Sequence, residues 1–288
     1  MEGIKSIEFA NSSNTQFDIV KLEKIFGEKY TDHSVIKPHK ISFFVIFFIE
    51  QGEGFHTIDF IDYPCSKGTL LTIRKDQIHN FCQSNDLVGA LLVFTDDFLV
   101  NYLEQVEAQK SMLLFNESLG QPNIQLNDTE FNDIKQLISD IKNEYFEVND
   151  SFQMGIIRSA LHILISKLFR IKSNKGVLNY DSTYTKNFIK FQNLVENNVN
   201  NTRTVKHYAQ MMGMSTKTLN TSVKQIVHKT AKDFIDEICI KQIKRLLINT
   251  DSPIKEISYT SGFDEITNFY KYFTRHTATT PEKFRSDT

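Results

Sequence analysis

The 288-residue chain has no tryptophan, only 5 prolines and 11 glycines, and 3 cysteines. So little proline and glycine excludes a collagen-like or low-complexity chain. The cysteines, Cys65, Cys82 and Cys239, are odd in number and lack a CxxC spacing. They predict reduced, packed thiols, with neither a disulfide framework nor a zinc site. The longest apolar run, Phe43 to Ile49, is too short to span a bilayer. The opening MEGIKSIEFANSSN lacks the basic start and apolar core of a secretory leader. The expectation is a cytoplasmic protein without a membrane partner.

What is present is ordinary for a globular protein: 40% apolar residues, 24% charged, and 24 phenylalanines. The length accommodates two domains, each with its own core. A net charge of −2 conceals a division. From Lys186 onward there are 16 Lys and Arg against 10 Asp and Glu, while the rest holds 17 against 25. A basic tail behind an acidic remainder predicts that only the tail meets a polyanion.

Residues 1–40 are polar and weakly patterned, with short apolar pieces such as Phe17 to Val20. From Ser42 the texture is that of strands. Phe43 to Ile49 reads as a strand buried on both faces. Gly52-Glu53-Gly54 turns into Phe55 to Ile61, and Pro64 to Gly68 turns into Thr69 to Ile73. Ile78 to Phe81 and Leu87 to Phe94 complete a small barrel or sandwich. Phe131, Ile134, Ile138, Ile141 and Tyr145 then recur at helical spacing. A second helix over Phe152 to Ile171 carries Ile156, Ile163, Leu164 and Leu168, so the pair forms a hairpin that closes the barrel or joins another chain. Ser173 to Thr185 loses the periodicity and reads as a linker.

The tail is helical. Phe188, Phe191 and Val195 open it, and Ile235, Cys239, Ile243, Leu246 and Leu247 mark a central helix. Ser252-Pro253 predicts a helix start with Ser as N-cap and Pro first inside, and Thr280-Pro281 repeats that signal. A helix-turn-helix needs a small residue where its helices touch, Gly in the turn, and an apolar anchor beneath the second helix. Ala209, Gly213 and Leu219 fit these roles, with Ser215 as N-cap. The second helix then shows Lys217, Asn220, Thr221 and Lys224. Ser258, Gly262 and Phe269 repeat the plan with the anchor one residue later, leaving Thr267, Asn268, Tyr270, Lys271 and Arg275 outward. One such pattern arises by chance. Two, 49 residues apart Gly to Gly around an apolar-striped helix, point to a DNA reader.

Ser252 to Arg285, SPIKEISYTSGFDEITNFYKYFTRHTATTPEKFR, resembles the carboxyl signature of the AraC family of bacterial regulators. The upstream YAQMMGMSTKTLN is similar to that family's first helix-turn-helix. The resemblance covers roughly residues 186–287. It implies a reader that sets two recognition helices in successive major grooves on one face of double-stranded DNA. His228 and Ala278 stand where the family usually has Gly; if the first of these sites needs a positive φ, His costs about 1 kcal/mol relative to Gly. Ile238 and Ile243 replace a common Arg and Ala.

Phe47 to Phe81 resembles the cupin-like sensor domain of the same family. Cupin enzymes hold a metal with several His and a Glu. Here His39 and His79, with Glu50, are a poor set, and Ile41 stands where another His would be. No metal and no cofactor are expected. Arg74 and Gln77 either orient a polar effector together with these histidines or fix the turn.

The fold class expected is α+β multidomain: an N-terminal cupin-like β-barrel with a helical dimerisation hairpin, and a C-terminal all-α tandem helix-turn-helix domain. The divisions are residues 1–127 for the sensor barrel with its arm, 128–172 for the hairpin, 173–185 for the linker and 186–288 for the DNA reader. The expected function is a non-enzymatic, homodimeric transcription regulator responding to a small-molecule effector. An activator would also meet RNA polymerase. The alternatives are a metal-dependent cupin enzyme with a helical appendage, and a regulator whose barrel serves only assembly.

Overall fold

The computed structural model describes residues 6–7, 9, 16–25, 37–81, 86–99, 102–103, 111–175 and 182–286. Cys82 and positions 176–181 of the expected linker lie outside them. The chain forms two compact units, residues 5–177 and 178–288.

The first unit contains two five-stranded sheets. One has the order β1 (Ser6–Ile7), β3 (His39–Ile41), β8 (Ile78–Phe81), β5 (Gly54–Ile58), β6 (Ile61–Cys65). The other has the order β10 (Asn123–Gln125), β7 (Thr69–Ile73), β4 (Phe44–Gln51), β9 (Val88–Phe94), β2 (Phe17–Lys21). Pairing is antiparallel except between β1 and β3. Strand β4 is buried on both faces, as its apolar run predicts, and its alternation sorts the core. Val45, Phe47 and Ile49 join Ile41, Ile58, Phe81 and Leu91 in one cluster between the sheets. Phe44, Ile46 and Phe48 face the other way, into a cluster with the helices. Each such side chain contributes roughly 1.5–3 kcal/mol on burial.

Those helices are α1 (Asp128–Glu147) and α2 (Gln153–Lys175). Helix α1 opens on a capping box between Asn127 and Glu130 and buries Phe131, Ile134, Ile138 and Ile141. Helix α2 differs from expectation. It buries Ile157, Leu161, Leu164, Ile165 and Leu168, whereas Phe152, Ile156 and Ile163 are at least half exposed.

Two further differences have local causes. Phe55 to Ile61 is not one strand, because the chain reverses at Asp59-Phe60. Both residues hold positive φ, at 46° and 71°. Asp59 makes the turn without glycine: its N–H donates to Ile78 O at 2.8 Å, and its carboxylate accepts from Ile78 N at 3.3 Å. Pro64 therefore lies inside β6 rather than in a turn, tolerated because β6 is an edge strand. The linker region is also more helical than its pattern suggests. Helix α2 runs to Lys175, and Ser182 already caps α3 (Thr183–Asn198) by accepting from Thr185 N at 3.1 Å.

The second unit is all helix: α3, α4 (Val205–Met211), α5 (Thr216–Val227), α6 (Ala231–Asn249), α7 (Ile254–Thr260), α8 (Ile266–Thr277) and α9 (Pro281–Ser286). Helix α6 is the core, burying Ile235, Cys239, Ile243 and Leu247. Helix α7 begins at Ile254 with Pro253 itself as N-cap, one residue later than expected. The carbonyl of Ser252 accepts instead from Arg285 Nη2 at 2.9 Å. No helix among the described residues is long and apolar enough to cross a membrane.

Candidate nucleic-acid interface

Helices α4 and α5 form the first helix-turn-helix. Between them Gly213 holds φ +64°, and Met214 N donates to Ala209 O at 3.0 Å, closing the turn. A side chain at Gly213 would meet open space, so only the backbone angle calls for glycine. Ala209 and Leu219 are buried in the roles expected of them. Ser215 caps α5, its hydroxyl accepting from Thr218 N at 3.0 Å.

Helices α7 and α8 repeat the arrangement. Gly262 holds φ +76°, Phe263 N donates to Ser258 O at 3.1 Å, and Ser258 and Phe269 are buried. The turn carries one residue more, which shifts the anchor. Glu265 is the N-cap of α8 and makes no side-chain capping bond. Here glycine is required twice over, since a Cβ on Gly262 would fall 1.7 Å from the carbonyl oxygen of Asn200.

The second helices of the two pairs, α5 and α8, end alike. His228 and Ala278 are left-handed, at φ 56° and 58°, with their N–H groups donating to Lys224 O and Thr274 O. Each helix is then joined to the next by its fifth residue. Asn220 Oδ1 accepts from Ala231 N at 3.0 Å, at the start of α6. Tyr270 donates its hydroxyl to Glu282 in the first turn of α9, and that bond pushes the phenol up to about 12.

The expected DNA-facing residues thus divide. Lys217, Thr221 and Lys224 are exposed along α5, and Thr267, Asn268, Lys271 and Arg275 along α8. Asn220 differs: its Nδ2 also donates to Thr216 O at 3.0 Å, so both ends of the amide are engaged within the protein. Asn268 makes no side-chain hydrogen bond among the described residues. Ile266, beside it, is half-buried.

Sequence reasoning missed Arg203 and Asp236. Arg203 donates from Nη1 to Ser261 O at 3.1 Å and from Nη2 to Gly262 O at 2.5 Å, with its guanidinium 3.8 Å from the Phe263 ring centre. Asp236 is a buried acid amid the apolar stripe of α6, and that placement was the available signal.

In the first unit, His39 and His79 come together as expected, with ring centres 4.2 Å apart. They are joined by His56, whose Nε2 lies 3.2 Å from His79 Nδ1. Inward alternation of His56 with Ile58 on β5 could have revealed it. Burial pulls all three imidazoles down, His56 to about 3, and the charge of His39 adds to the effect on the other two. Glu50 is on the opposite face of β4, accepting from Lys135 at 2.9 Å and Lys142 at 3.2 Å. Among the described residues no group of three His, Cys, Asp or Glu is arranged to hold a metal.

Gln77 is buried with its whole amide engaged. Its oxygen accepts from Arg74 N at 2.8 Å, and its nitrogen donates to Asp59 at 2.9 Å and Glu117 at 2.7 Å. Arg74 also reaches Glu117, at 3.4 Å. The network ties two turns to the segment around residue 117.

Residues 25–153 match the family model described as an AraC-like ligand binding domain, and residues 208–287 the one described as a helix-turn-helix domain. The HTH-type transcriptional activator RhaR of Enterobacter sp. (strain 638) is 20% identical over 253 residues, 88% of each chain. RhaR of Escherichia coli (strain K12) is 21% identical over 254 residues, 87% of each. Among solved structures, ToxT from Vibrio cholerae aligns with 94% of this chain and 97% of its own, at 14% identity and a TM-score of 0.46.

Proposed function

Since the chain belongs to the AraC family of transcription regulators, we propose that its α5 and α8 read two blocks of one operator while the barrel receives a small-molecule effector. The observation that carries this is the repetition itself. Two helix-turn-helix units, closed by the same turn contacts and ended by the same left-handed residue, present two exposed polar helices. Affinity would come chiefly from Lys and Arg on phosphates, and specificity from side chains at base edges.

On α5 we assign contact to Ser215, Lys217, Thr221 and Lys224, with Asn220 holding the helix to α6 instead. On α8 we assign it to Thr267, Asn268, Lys271 and Arg275, with Tyr270 tied to α9. Asn268 carries the amide that pairs bidentately with adenine. The barrel effector would meet the neutral imidazoles of His39 and His79, whereas Arg74 and Gln77 fix the turns about them. The bonds that engage Gln77 support that division. The reading makes the chain a cytoplasmic regulator without enzymatic activity. If it activates, as the RhaR proteins do by name, RNA polymerase is a further partner. The exposed stripe Phe152, Ile156 and Ile163 supports pairing of α2 with a second copy.

Binding-site selection tests the assignment. The selected DNA should contain two short blocks whose centres lie about 34 Å apart, one helical turn. Asn268→Ala should relax preference at one position of one block, at a cost of roughly 1–3 kcal/mol. Lys217→Ala should weaken binding and, if it contacts phosphate, lower the salt slope by about one. Selection of a single block, or no change in base preference with Asn268→Ala, overturns the assignment.

A further inference from the structure

Asp236 is on α6 rather than on a recognition helix, and it is 5% exposed. One of its oxygens accepts from Tyr272 OH at 2.8 Å and from Lys232 Nζ at 2.6 Å. The other is 3.9 Å from Nε2 of His276. Tyr272 and His276 are one turn apart on α8, with ring centres 4.7 Å from each other. Two side chains on the same face of the second recognition helix therefore converge on one buried carboxylate. Tyr272 also packs 5.2 Å from the Phe263 ring, and Arg203 stands over both aromatic rings. Arg203 belongs to the segment that leads into α4, so the same cluster joins the first helix-turn-helix to the turn of the second.

We propose that Asp236 is the positioning residue of the second recognition helix: it fixes the rotation of α8 about its own axis, and so which side chains of α8 face DNA. The proposal rests on the two-block reading above. A helix anchored only by an apolar stripe has some freedom to roll, because hydrophobic contact is non-directional. A hydrogen bond to a buried carboxylate is directional and charge-assisted. Phe269 and Phe273 hold α8 to the core by burial. Tyr272, between them in sequence and directed to Asp236, supplies an angular constraint on the buried side, whereas the Tyr270–Glu282 bond is on the exposed side. Helix α5 is restrained by uncharged groups instead: Ser222 Oγ accepts from Asn187 Nδ2 of α3 at 3.3 Å, and Asn220 Oδ1 accepts from Ala231 N at 3.0 Å.

The test uses full-length protein and three DNAs: the selected site, the site with its α5 block scrambled, and the site with its α8 block scrambled. The blocks are assigned beforehand by the position at which Asn268→Ala relaxes preference. Asp236→Leu should lose most of the penalty for scrambling the α8 block, from roughly tenfold to near unity, while keeping the penalty for the α5 block. Tyr272→Phe, which removes only the hydroxyl, should reduce the α8-block penalty in the same direction. Asp236→Glu should restore part of it. A general loss of stability would weaken both blocks together, and thermal melting of each variant identifies that case. If Asp236→Leu does not fold, Tyr272→Phe alone decides. An α8-block penalty that stays at the wild-type value in the folded variants, or a loss shared equally by both blocks, overturns the proposal. A wild-type protein that selects no second block overturns instead the reading on which it rests.

Discussion

His228 and Ala278 hold left-handed backbone at the ends of the two recognition helices. A Cβ in this region costs about 1 kcal/mol, which glycine avoids. His228→Gly and Ala278→Gly should each stabilise the DNA-binding unit by about that amount, raising its melting temperature by roughly 4–8 °C. Calorimetry checks this, and a fall in melting temperature would show that the loop contacts outweigh the backbone strain. The buried imidazoles act in the opposite sense. His39, His56 and His79 have folded values below the ordinary 6.5. Burial therefore favours their neutral forms, and the stability this gives is fully present above pH 6.5. It is lost as pH falls from 6.5 toward the folded values, because the unfolded chain takes up protons first. For His56, lowered to about 3, the slope should approach about 1.4 kcal/mol per pH unit below pH 6.5. Urea midpoints measured between pH 7.5 and 5 should decline, and His56→Gln should flatten the decline.

At the scale of elements, what the sequence disclosed depended on whether one physical cause dominated a segment. Strands β4, β7 and β9 were legible because burial imposes dense Phe, Leu, Ile and Val. Helix α1 was legible because a single face is apolar. Strands β1, β3 and β10 are two or three residues long, too short for alternation to stand out. The β5–β6 hairpin was hidden because Asp59 and Phe60 turn the chain where glycine or asparagine would have announced it. Helix α2 was legible as a helix but not in its orientation, since apolar residues occupy two faces. Leu164 and Leu168 pack inward, whereas Ile156 and Ile163 point out. Both helix-turn-helix units were legible through Gly and the small residue before it. The engagement of Asn220 was not, because its partner, Ala231 N, lies beyond the turn and offers no side-chain signal. The outward face of α2 carries its own expectation. Ile156→Asp with Ile163→Asp should leave the fold intact and convert a dimer to a monomer in sedimentation. An unchanged mass would place self-association elsewhere.

On the scale of the DNA-binding unit as a whole, both readers share α6 as their core, and Arg203 bonds the segment before the first reader to the turn of the second. Their separation is therefore fixed by the protein. Inserting about five base pairs, half a helical turn, between the two blocks of the operator should forfeit the second block's contribution, and a further five should restore only part of it. Gel-shift titration across such a spacing series checks this, and a flat response would mean that the units move independently. The contact between Gly262 and Asn200 bears on the same rigidity in a genetic sense. The atom that excludes a side chain at position 262 is a backbone oxygen, and no substitution at position 200 removes it. A selection for suppressors of Gly262→Ala should accordingly return codon 262 itself, again and again, with nothing at codon 200.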